Sequence, residues 1–304
     1  TRAGYPLPTR PQDTRLVCII AQVNLTLPVM AVNSWLAEPI KGLLLDITGV
    51  LYESGEGFGT AIPGSVEAVK RLRETGIPVR FVTNETCATR AELIKKLHHH
   101  SFSVSEGDVF SPVPAVISLL KERGLVPHLL VHPAIECEFS GLVAGNPTCV
   151  VMGDADEAFS FANMNVAFRA LKAMEDPKLF ALGFGKYYKH KGQLQLDVGA
   201  FATALEFACD IKSEIVGKPS PLFFDAALSD IGITAKEAVM IGDDIVSDVG
   251  GAQKCGIRGV LVRTGKYTRS CENHPTVTPH FIANNLSEAV DLIIEAQSKN
   301  IHQV

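Results

Sequence analysis

Acidic, hydroxyl and amide side chains stand at the ends of three apolar runs in this 304-residue chain. Near-continuous apolar runs are typical of strands that are buried on both faces of a parallel sheet. In such sheets, ligands bind in the crevice beyond the carboxyl ends of the strands. We therefore expect these polar residues to meet at one sheet edge: Asp46 after GLLL, Thr83 and Asn84 after VRFV, and Asp243 and Asp244 after AVMIG.

Asp46 is followed by a glycine-rich turn. Gly49 comes three residues later, and further glycines stand at 55, 57 and 59. An isolated Asp is most often a helix cap or a structural carboxylate, but glycine backbone lets main-chain N–H groups approach an anion. A carboxylate beside an anion needs a cation between them, unless the carboxylate attacks the anion. Both can hold, because an aspartate can form a phospho-aspartyl intermediate and a hard cation can screen the charges.

The acidic segment MIGDDIVSDVGGA offers a place for that cation. Asp243, Asp244 and Asp248 fall within six residues, and carboxylates so close repel one another. A Mg²⁺ ion held by one or two carboxylates, water and a substrate oxygen would relieve the repulsion. The alternative is that these acids stand at a helix N-terminus, where the macrodipole favours negative charge. The segment alone leaves both interpretations open.

Lys218 in EIVGKPSP offers a point charge of the opposite sign. Pro219 and Pro221 place it near a helix start, where it could hold a phosphate and lower the repulsion that an attacking aspartate feels. Alone, a lysine before proline is most often a surface residue. Thr83 and Asn84 could bind phosphoryl oxygens, or they could simply form a turn or a helix cap.

Strand and helix patterns alternate from residue 40 onwards. Short apolar runs predict strands over 42–46, 79–84, 128–132, 149–153, 178–183, 213–217, 238–244 and 258–265. Apolar residues at helical spacing predict helices over 65–76, 115–124, 161–174, 201–209, 221–232 and 287–297. The segment KYYKHKGQLQL, residues 186–196, predicts a hairpin. This alternation predicts an α/β fold with a buried parallel sheet.

Four ordered motifs resemble those of the haloacid dehalogenase-like phosphatase superfamily: Asp46-x-Thr48, Thr83-Asn84, Lys218-Pro219 and Gly242-Asp243-x4-Asp248. The resemblance covers about residues 40–298. It implies a nucleophile, Mg²⁺ as cofactor, phosphate binders and supporting acids. By position, the catalytic residues would be Asp46, as the nucleophile, with Thr48 and Lys218. The Mg²⁺ ligands would be Asp46, Asp243 and the Thr48 carbonyl. The phosphate would be bound by Asp46, Thr48, Thr83, Asn84 and Lys218, and the supporting acids would be Asp244 and Asp248.

The same resemblance implies a domain organisation. A Rossmann-like core would span 40–110 and 212–300, and an inserted α/β cap would span 111–211 and close over the site to exclude water. Residues 1–39 are expected to be a flexible extension, with Met30 as a candidate natural start. By analogy with relatives that pair through their caps, we expect a homodimer.

Thr48 stands where most phosphatases of that superfamily carry a second Asp, which protonates the leaving oxygen. Threonine has no comparable acidity, and general acid–base catalysis is worth about 10²- to 10⁴-fold. An alkyl ester should suffer that loss in full. The leaving group of pyrophosphate is a phosphate anion that Mg²⁺ can stabilise, and a P–N bond can be protonated by solvent. We therefore expect a Mg²⁺-dependent hydrolase of phosphomonoester and phosphoamide bonds that acts on inorganic pyrophosphate and on N-phosphorylated lysine or histidine.

Three questions stay open at this point. Asp244 and Glu85 are both candidates for activating the water that attacks the intermediate. A phosphatase for a small metabolite ester such as pyridoxal phosphate is an alternative that Thr48 argues against. A phosphate-binding scaffold with a vestigial site is another alternative, which the intact Asp46, Lys218 and Asp243 argue against.

Composition limits the classes of binding partner and the cellular compartments that we expect. The net charge of −5 leaves no basic surplus for neutralising a nucleic-acid backbone, so we expect no nucleic-acid partner. No run of about 18 apolar residues occurs, so we expect no membrane span. Seven scattered cysteines without a CxxC motif favour a reducing compartment. The cytoplasm is the expected location, with the nucleus as a second one.

Overall fold

Strands and helices alternate through the structure, a computed structural model that describes residues 34–190 and 193–301. The strands are β1 (Gly42–Leu45), β2 (Tyr52–Glu53), β3 (Thr60–Ala61), β4 (Val79–Val82), β5 (Val109–Phe110), β6 (Pro127–Leu130), β7 (Cys149–Met152), β8 (Leu179–Ala181), β9 (Tyr187–His190), β10 (Gln193–Leu196), β11 (Glu214–Ile215), β12 (Ala238–Gly242), β13 (Arg258–Val262) and β14 (Phe281–Ala283).

The α-helices are α1 (Ser65–Glu74), α2 (Arg90–His99), α3 (Pro112–Arg123), α4 (Pro133–Glu136), α5 (Phe161–Ala173), α6 (Val198–Cys209), α7 (Pro221–Ile231), α8 (Gly251–Lys254) and α9 (Leu286–Ile301). A π-helix over Ile245–Gly250 precedes α8. All eight strands and all six helices that the sequence predicts are present, so the predicted α/β class is confirmed.

The larger sheet has six strands in the order β14-β13-β12-β1-β4-β5, and every pair in it is parallel. Strand β1 lies between β12 and β4. Because parallel strands end at the same edge, this order brings the residues that follow these three strands side by side.

Strand β1 shows why an unbroken apolar run was needed. All four of its residues are buried. Leu43 and Leu45 pack into a cluster on one face of the sheet, whereas Leu44 packs into a second cluster on the other face. A strand covered on both faces has no polar side, so its sequence does not alternate.

A second parallel sheet, in the order β11-β8-β7-β6, forms from the chain between β5 and β12. Its two faces carry separate apolar clusters. The prediction that the inserted segment ends at residue 211 is a few residues short, because Glu214 and Ile215 pair with β8 and complete this sheet. The outer limits of the predicted core, 40–110 and 212–300, stay a prediction.

Two short hairpins accompany these sheets. The predicted hairpin is present as β9 and β10, with His190 opposite Gln193. The pairing of β2 with β3 lay outside every sequence pattern, since each strand has only two residues.

Part of the predicted flexible extension is packed against the larger sheet. Trp35 is buried, and the guanidinium of Arg258 donates hydrogen bonds to the carbonyls of Trp35 at 2.8 Å and Glu38 at 2.9 Å. The prediction of flexibility is therefore wrong for residues 34–39, because a buried indole and a buried cation hold them in place. Met30 lies outside the described residues. Within the two described ranges, the helices fall short of the length and apolar character that crossing a membrane requires.

Candidate active site

Lys218 lies at the centre of a buried carboxylate cluster. Its Nζ is 2.6 Å from Asp46 Oδ1 and 2.8 Å from Asp248 Oδ1, and it donates to the carbonyl of Val82 at 3.0 Å. Burial would lower the pKa of Lys218, but the carboxylates of Asp248 and Asp46 outweigh burial and raise this pKa above its ordinary value. Lys218 is therefore a charged cation that ties the end of β1 to the π-helix.

Asp243 has one carboxylate oxygen that the protein does not satisfy. Its Oδ2 accepts a hydrogen bond from the main-chain N–H of Lys266 at 2.7 Å. Its Oδ1 is buried and lacks a hydrogen-bond partner among the residues that the structure describes. Burial raises the pKa of Asp243, and repulsion by Asp46 and Asp248 raises it further, against the opposing effect of Lys266. An unsatisfied buried acceptor costs about 1 to 3 kcal/mol.

Three carboxylates converge here. Asp46, Asp243 and Asp248 each offer an oxygen, and these oxygens all lie within 4.8 Å of one another. A set of hard oxygen ligands with excess negative charge suits a divalent cation such as Mg²⁺. Two of the predicted ligands, Asp46 and Asp243, belong to this group. The prediction that the Thr48 carbonyl is also a ligand stays a prediction. Asp248, predicted as a supporting acid, offers an oxygen to the same group.

Asp244 is committed to local structure. Its Oδ1 accepts hydrogen bonds from the main-chain N–H groups of Val246 at 2.9 Å and Ser247 at 3.0 Å, which caps the π-helix. Its Oδ2 lies 3.2 Å from Lys266 Nζ. Burial would raise the pKa of Asp244, but Lys266 and these hydrogen bonds lower it. A capped, ion-paired carboxylate with a lowered pKa is a poor base for activating water, which removes one of the two candidates.

Thr48 and Gly49 form the turn after the nucleophile position. Thr48 Oγ1 donates a hydrogen bond of 3.1 Å to the hydroxyl of Tyr52. Gly49 has φ +94°, and a Cβ atom there would overlap Asp243 Oδ2. Glycine is therefore required both by the backbone conformation and by the close approach of the Asp243 carboxylate.

Thr83 and Asn84 follow β4 as predicted, but their side chains are occupied. Thr83 Oγ1 accepts from the N–H of Glu85 at 3.0 Å. The Asn84 amide forms two hydrogen bonds of 2.8 Å with Lys218, donating to its carbonyl and accepting from its N–H. Asn84 thus positions the lysine. Phosphate binding by Thr83 and Asn84 stays a prediction.

A cavity of about 590 Å³ opens over the cluster. The ends of β1, β4 and β12 line one side, and the second sheet and its hairpin line the other. Side chains on that second side are His132, Asp154, Tyr188, His190, Gln195 and Asp197. Side chains of the inserted segment therefore line the same cavity as the carboxylates, and its closure over the site as a cap stays a prediction.

Comparison with known proteins identifies the family. Residues 43–165 match a family model described as haloacid dehalogenase-like hydrolase, and residues 215–289 match a second model for hydrolases of this kind. The chain is 54% identical over 260 residues to phospholysine phosphohistidine inorganic pyrophosphate phosphatase of Homo sapiens, which is 86% of this chain and 96% of that protein. The chain belongs to the haloacid dehalogenase-like hydrolases.

The chain is also similar to other haloacid dehalogenase-like hydrolases. The Xenopus laevis protein of the same name as the human one is 53% identical over 265 residues, 87% of this chain and 98% of that protein. The p-nitrophenyl phosphatase structure from Archaeoglobus fulgidus has a TM-score of 0.73 at 25% identity and covers 84% of this chain and 99% of that chain. Because its relatives at 53–54% identity are phosphatases, the protein is a phosphatase of the haloacid dehalogenase-like hydrolases.

Haloacid dehalogenase-like hydrolases generally use a divalent metal, and the residues present here fit one. The unsatisfied Oδ1 of Asp243 belongs to a group of three carboxylates, of which those of Asp46 and Asp248 contact Lys218. A cation would satisfy that oxygen and reduce the repulsion.

Two residues of the site were missed in the sequence. Lys266 holds Asp243 through its N–H and Asp244 through its side chain. It follows strand β13, so the strand-end rule that indicated Asp46 would also have indicated Lys266. Tyr52 carries no such signal, because its contact with Thr48 depends on how the turn after β1 folds back.

Proposed function

We propose that this protein is a Mg²⁺-dependent phosphatase that hydrolyses inorganic pyrophosphate and the P–N bonds of phospholysine and phosphohistidine through a phospho-aspartyl intermediate on Asp46. One observation carries the proposal: the Asp46 carboxylate is held by Lys218 in a buried acidic cluster, while a hydroxyl, Thr48, occupies the position of a general acid. The name of the 54% identical human relative supports the same substrates.

In the first half-reaction, a carboxylate oxygen of Asp46 attacks phosphorus. The new O–P bond forms as the P–O bond of pyrophosphate or the P–N bond of a phosphoramidate breaks, and the leaving atom takes the bonding electrons. Lys218 Nζ, 2.6 Å from Asp46 Oδ1, orients the carboxylate and offsets the charge brought together by attack on an anion.

A bound Mg²⁺ would stabilise the negative charge that develops on the phosphoryl oxygens. Asp46, Asp243 and Asp248 are the side chains placed to hold it. Lys266 keeps Asp243 in position through the main-chain hydrogen bond to Oδ2, which leaves Oδ1 for the cation.

In the second half-reaction, water attacks the phosphorus of phospho-Asp46. The O–P bond to Asp46 breaks, the carboxylate returns as an anion, and the phosphate leaves with the two protons of the water. Glu85 lines the cavity, and burial raises the pKa of its carboxyl. It is the remaining side chain of the two that the sequence suggested for orienting this water.

Phosphate release from four substrates tests the proposal: pyrophosphate, phosphohistidine, phospholysine and a sugar phosphate, each with and without Mg²⁺. Wild type should release phosphate from the first three only with Mg²⁺, and Asp46→Asn should release none. Asp176→Asn, at an exposed aspartate, is the matched control and should behave as wild type. Release by Asp46→Asn would end the covalent mechanism. A sugar phosphate as the best substrate would end the leaving-group argument.

We further propose a homodimer that forms through helices α5 and α6 and the β9–β10 hairpin, in the cytoplasm or the nucleus. Large apolar side chains are exposed there: Phe161 on α5, Phe207 on α6, and Leu194 and Leu196 on β10. Exposed apolar patches are typical of interaction surfaces. Light scattering should give twice the monomer mass of 32.7 kDa for wild type and the monomer mass for Phe207→Asp.

A further inference from the structure

Tyr52 is a buried residue whose aromatic ring is held from several directions. The ring of His100 stacks on it with centroids 5.6 Å apart, and Lys96 Nζ lies 4.4 Å from its centroid. The main chain is held too, because the N–H of Gly49 donates to the Tyr52 carbonyl at 2.7 Å. These contacts fix the position of the Tyr52 phenol oxygen next to the turn that follows Asp46.

The hydrogen bond between Thr48 and Tyr52 has a direction. Thr48 Oγ1 donates and the Tyr52 hydroxyl accepts, at 3.1 Å. A hydroxyl has one proton and two lone pairs, so this bond uses the only proton of Thr48. Thr48 therefore turns lone pairs, and no proton, toward the cavity that it lines.

We propose that Tyr52 is a positioning residue that fixes Thr48 as a hydrogen-bond acceptor beside the reacting phosphoryl group, and that this selects a leaving atom that carries N–H over a bare oxygen. The inference rests on the proposed function, which places the phosphoryl group on Asp46, two residues before Thr48. It separates two substrate classes that the proposed function leaves equal.

The chemistry differs between the two classes at the leaving atom. The nitrogen of phospholysine takes a proton from solvent, the P–N bond breaks as the Asp46–phosphorus bond forms, and the nitrogen leaves as a neutral amine. The N–H groups of an amine leaving group can donate a hydrogen bond to Thr48 Oγ1 before, during and after P–N cleavage. The bridging oxygen of pyrophosphate leaves as an anion without a proton, and the lone pairs of Thr48 repel it.

Tyr52→Phe removes the phenol oxygen and frees the Thr48 hydroxyl to donate. The measurement is kcat/KM for phospholysine and for pyrophosphate with saturating Mg²⁺. We expect the phospholysine-to-pyrophosphate ratio to fall about tenfold, the size of one lost hydrogen bond. The change should lie in kcat rather than KM. Tyr187→Phe removes an exposed phenol from the hairpin and should leave the ratio unchanged.

Thr48→Val removes the hydroxyl itself and is a second, independent test of the phospholysine-to-pyrophosphate ratio. It should lower the ratio to a similar extent, and the double variant Tyr52→Phe/Thr48→Val should lower it no further than Thr48→Val alone. If Tyr52→Phe is unfolded by circular dichroism, Thr48→Val carries the test. An unchanged ratio in the folded variants overturns the inference. Activity of Asp46→Asn would instead overturn the proposed function, so the two failures are distinguishable.

Discussion

The side-chain amide of Asn84 pairs with both peptide groups of Lys218, although 134 residues separate them in sequence. Each of the two hydrogen bonds is 2.8 Å long. The pair joins the loop after β4 to the segment that precedes α7, and it fixes the backbone from which the Lys218 side chain reaches Asp46. Gly217 is necessary beside it, because a Cβ atom there would press against Asn84 Oδ1.

Asn84→Asp should impair catalysis by disturbing Lys218. The carboxylate can still accept from the Lys218 N–H, but it cannot donate to the Lys218 carbonyl, and it adds negative charge near Asp46. We expect kcat to fall about 10- to 100-fold, the usual range for groups that orient catalytic ones. Asn163→Asp is the control, since the Asn163 amide donates to the Ala158 carbonyl far from the cluster. Equal losses in both variants would contradict the positioning role.

Gly49→Ala should lower both stability and activity. The substitution combines a strained φ of +94° with overlap between the new methyl group and Asp243 Oδ2. Gly76→Ala is a matched control, because Gly76 has φ +73° and open space around its Cβ position. We expect Gly76→Ala to cost about 1 kcal/mol and Gly49→Ala about 2 kcal/mol more. Urea unfolding measures the difference, and equal costs would refute the close approach.

Asp243→Asn should separate stability from metal binding. The amide removes a buried charge that Asp46 and Asp248 repel, so we expect the protein without metal to gain about 1 kcal/mol. Adding Mg²⁺ at 100 times its Kd should stabilise wild type by about 2.7 kcal/mol and the variant far less. Thermal unfolding with and without Mg²⁺ checks both statements. A variant that loses stability without metal would show that the repulsion is not dominant.

Glu206 should make stability depend on pH below the physiological range. Burial would raise the pKa of this α6 carboxylate, but hydrogen bonds from the Ser213 hydroxyl and N–H and from Lys212 lower it below the ordinary value of 4.5. Because the folded-state pKa is the lower one, the stabilisation is present above pH 4.5 and is lost as the pH falls through the folded-state pKa.

Glu206→Gln tests that statement. We expect the variant to be about 1 kcal/mol less stable than wild type at pH 7, with the gap closing toward pH 3. Glu175→Gln, at an exposed position, should show no gap at either pH. Urea unfolding at the two pH values supplies the measurement, and a gap that widens in acid would show that folding raises the pKa of Glu206.

Several contacts of the site could not be predicted because they form between distant segments. The sequence indicated that Asn84 ends a strand, but only packing of β4 beside β1 and the approach of the Lys218 segment decided what its amide binds. The sequence left two roles for Asp244, water activation and helix capping. The direction of the following helix and the arrival of Lys266 settled it as a cap.

The sequence alone determined which residues end the central strands. A run such as GLLL must be buried on both faces, so a parallel sheet and the convergence of Asp46, Thr83 and Asp243 at its edge followed from local patterns. The tertiary structure decided the hydrogen-bonding state of each group there. The group to which Thr48 donates its proton, the oxygen of Asp243 that stays unsatisfied and the carboxylates that share Lys218 all depend on distances between segments. Local pattern does not encode those distances.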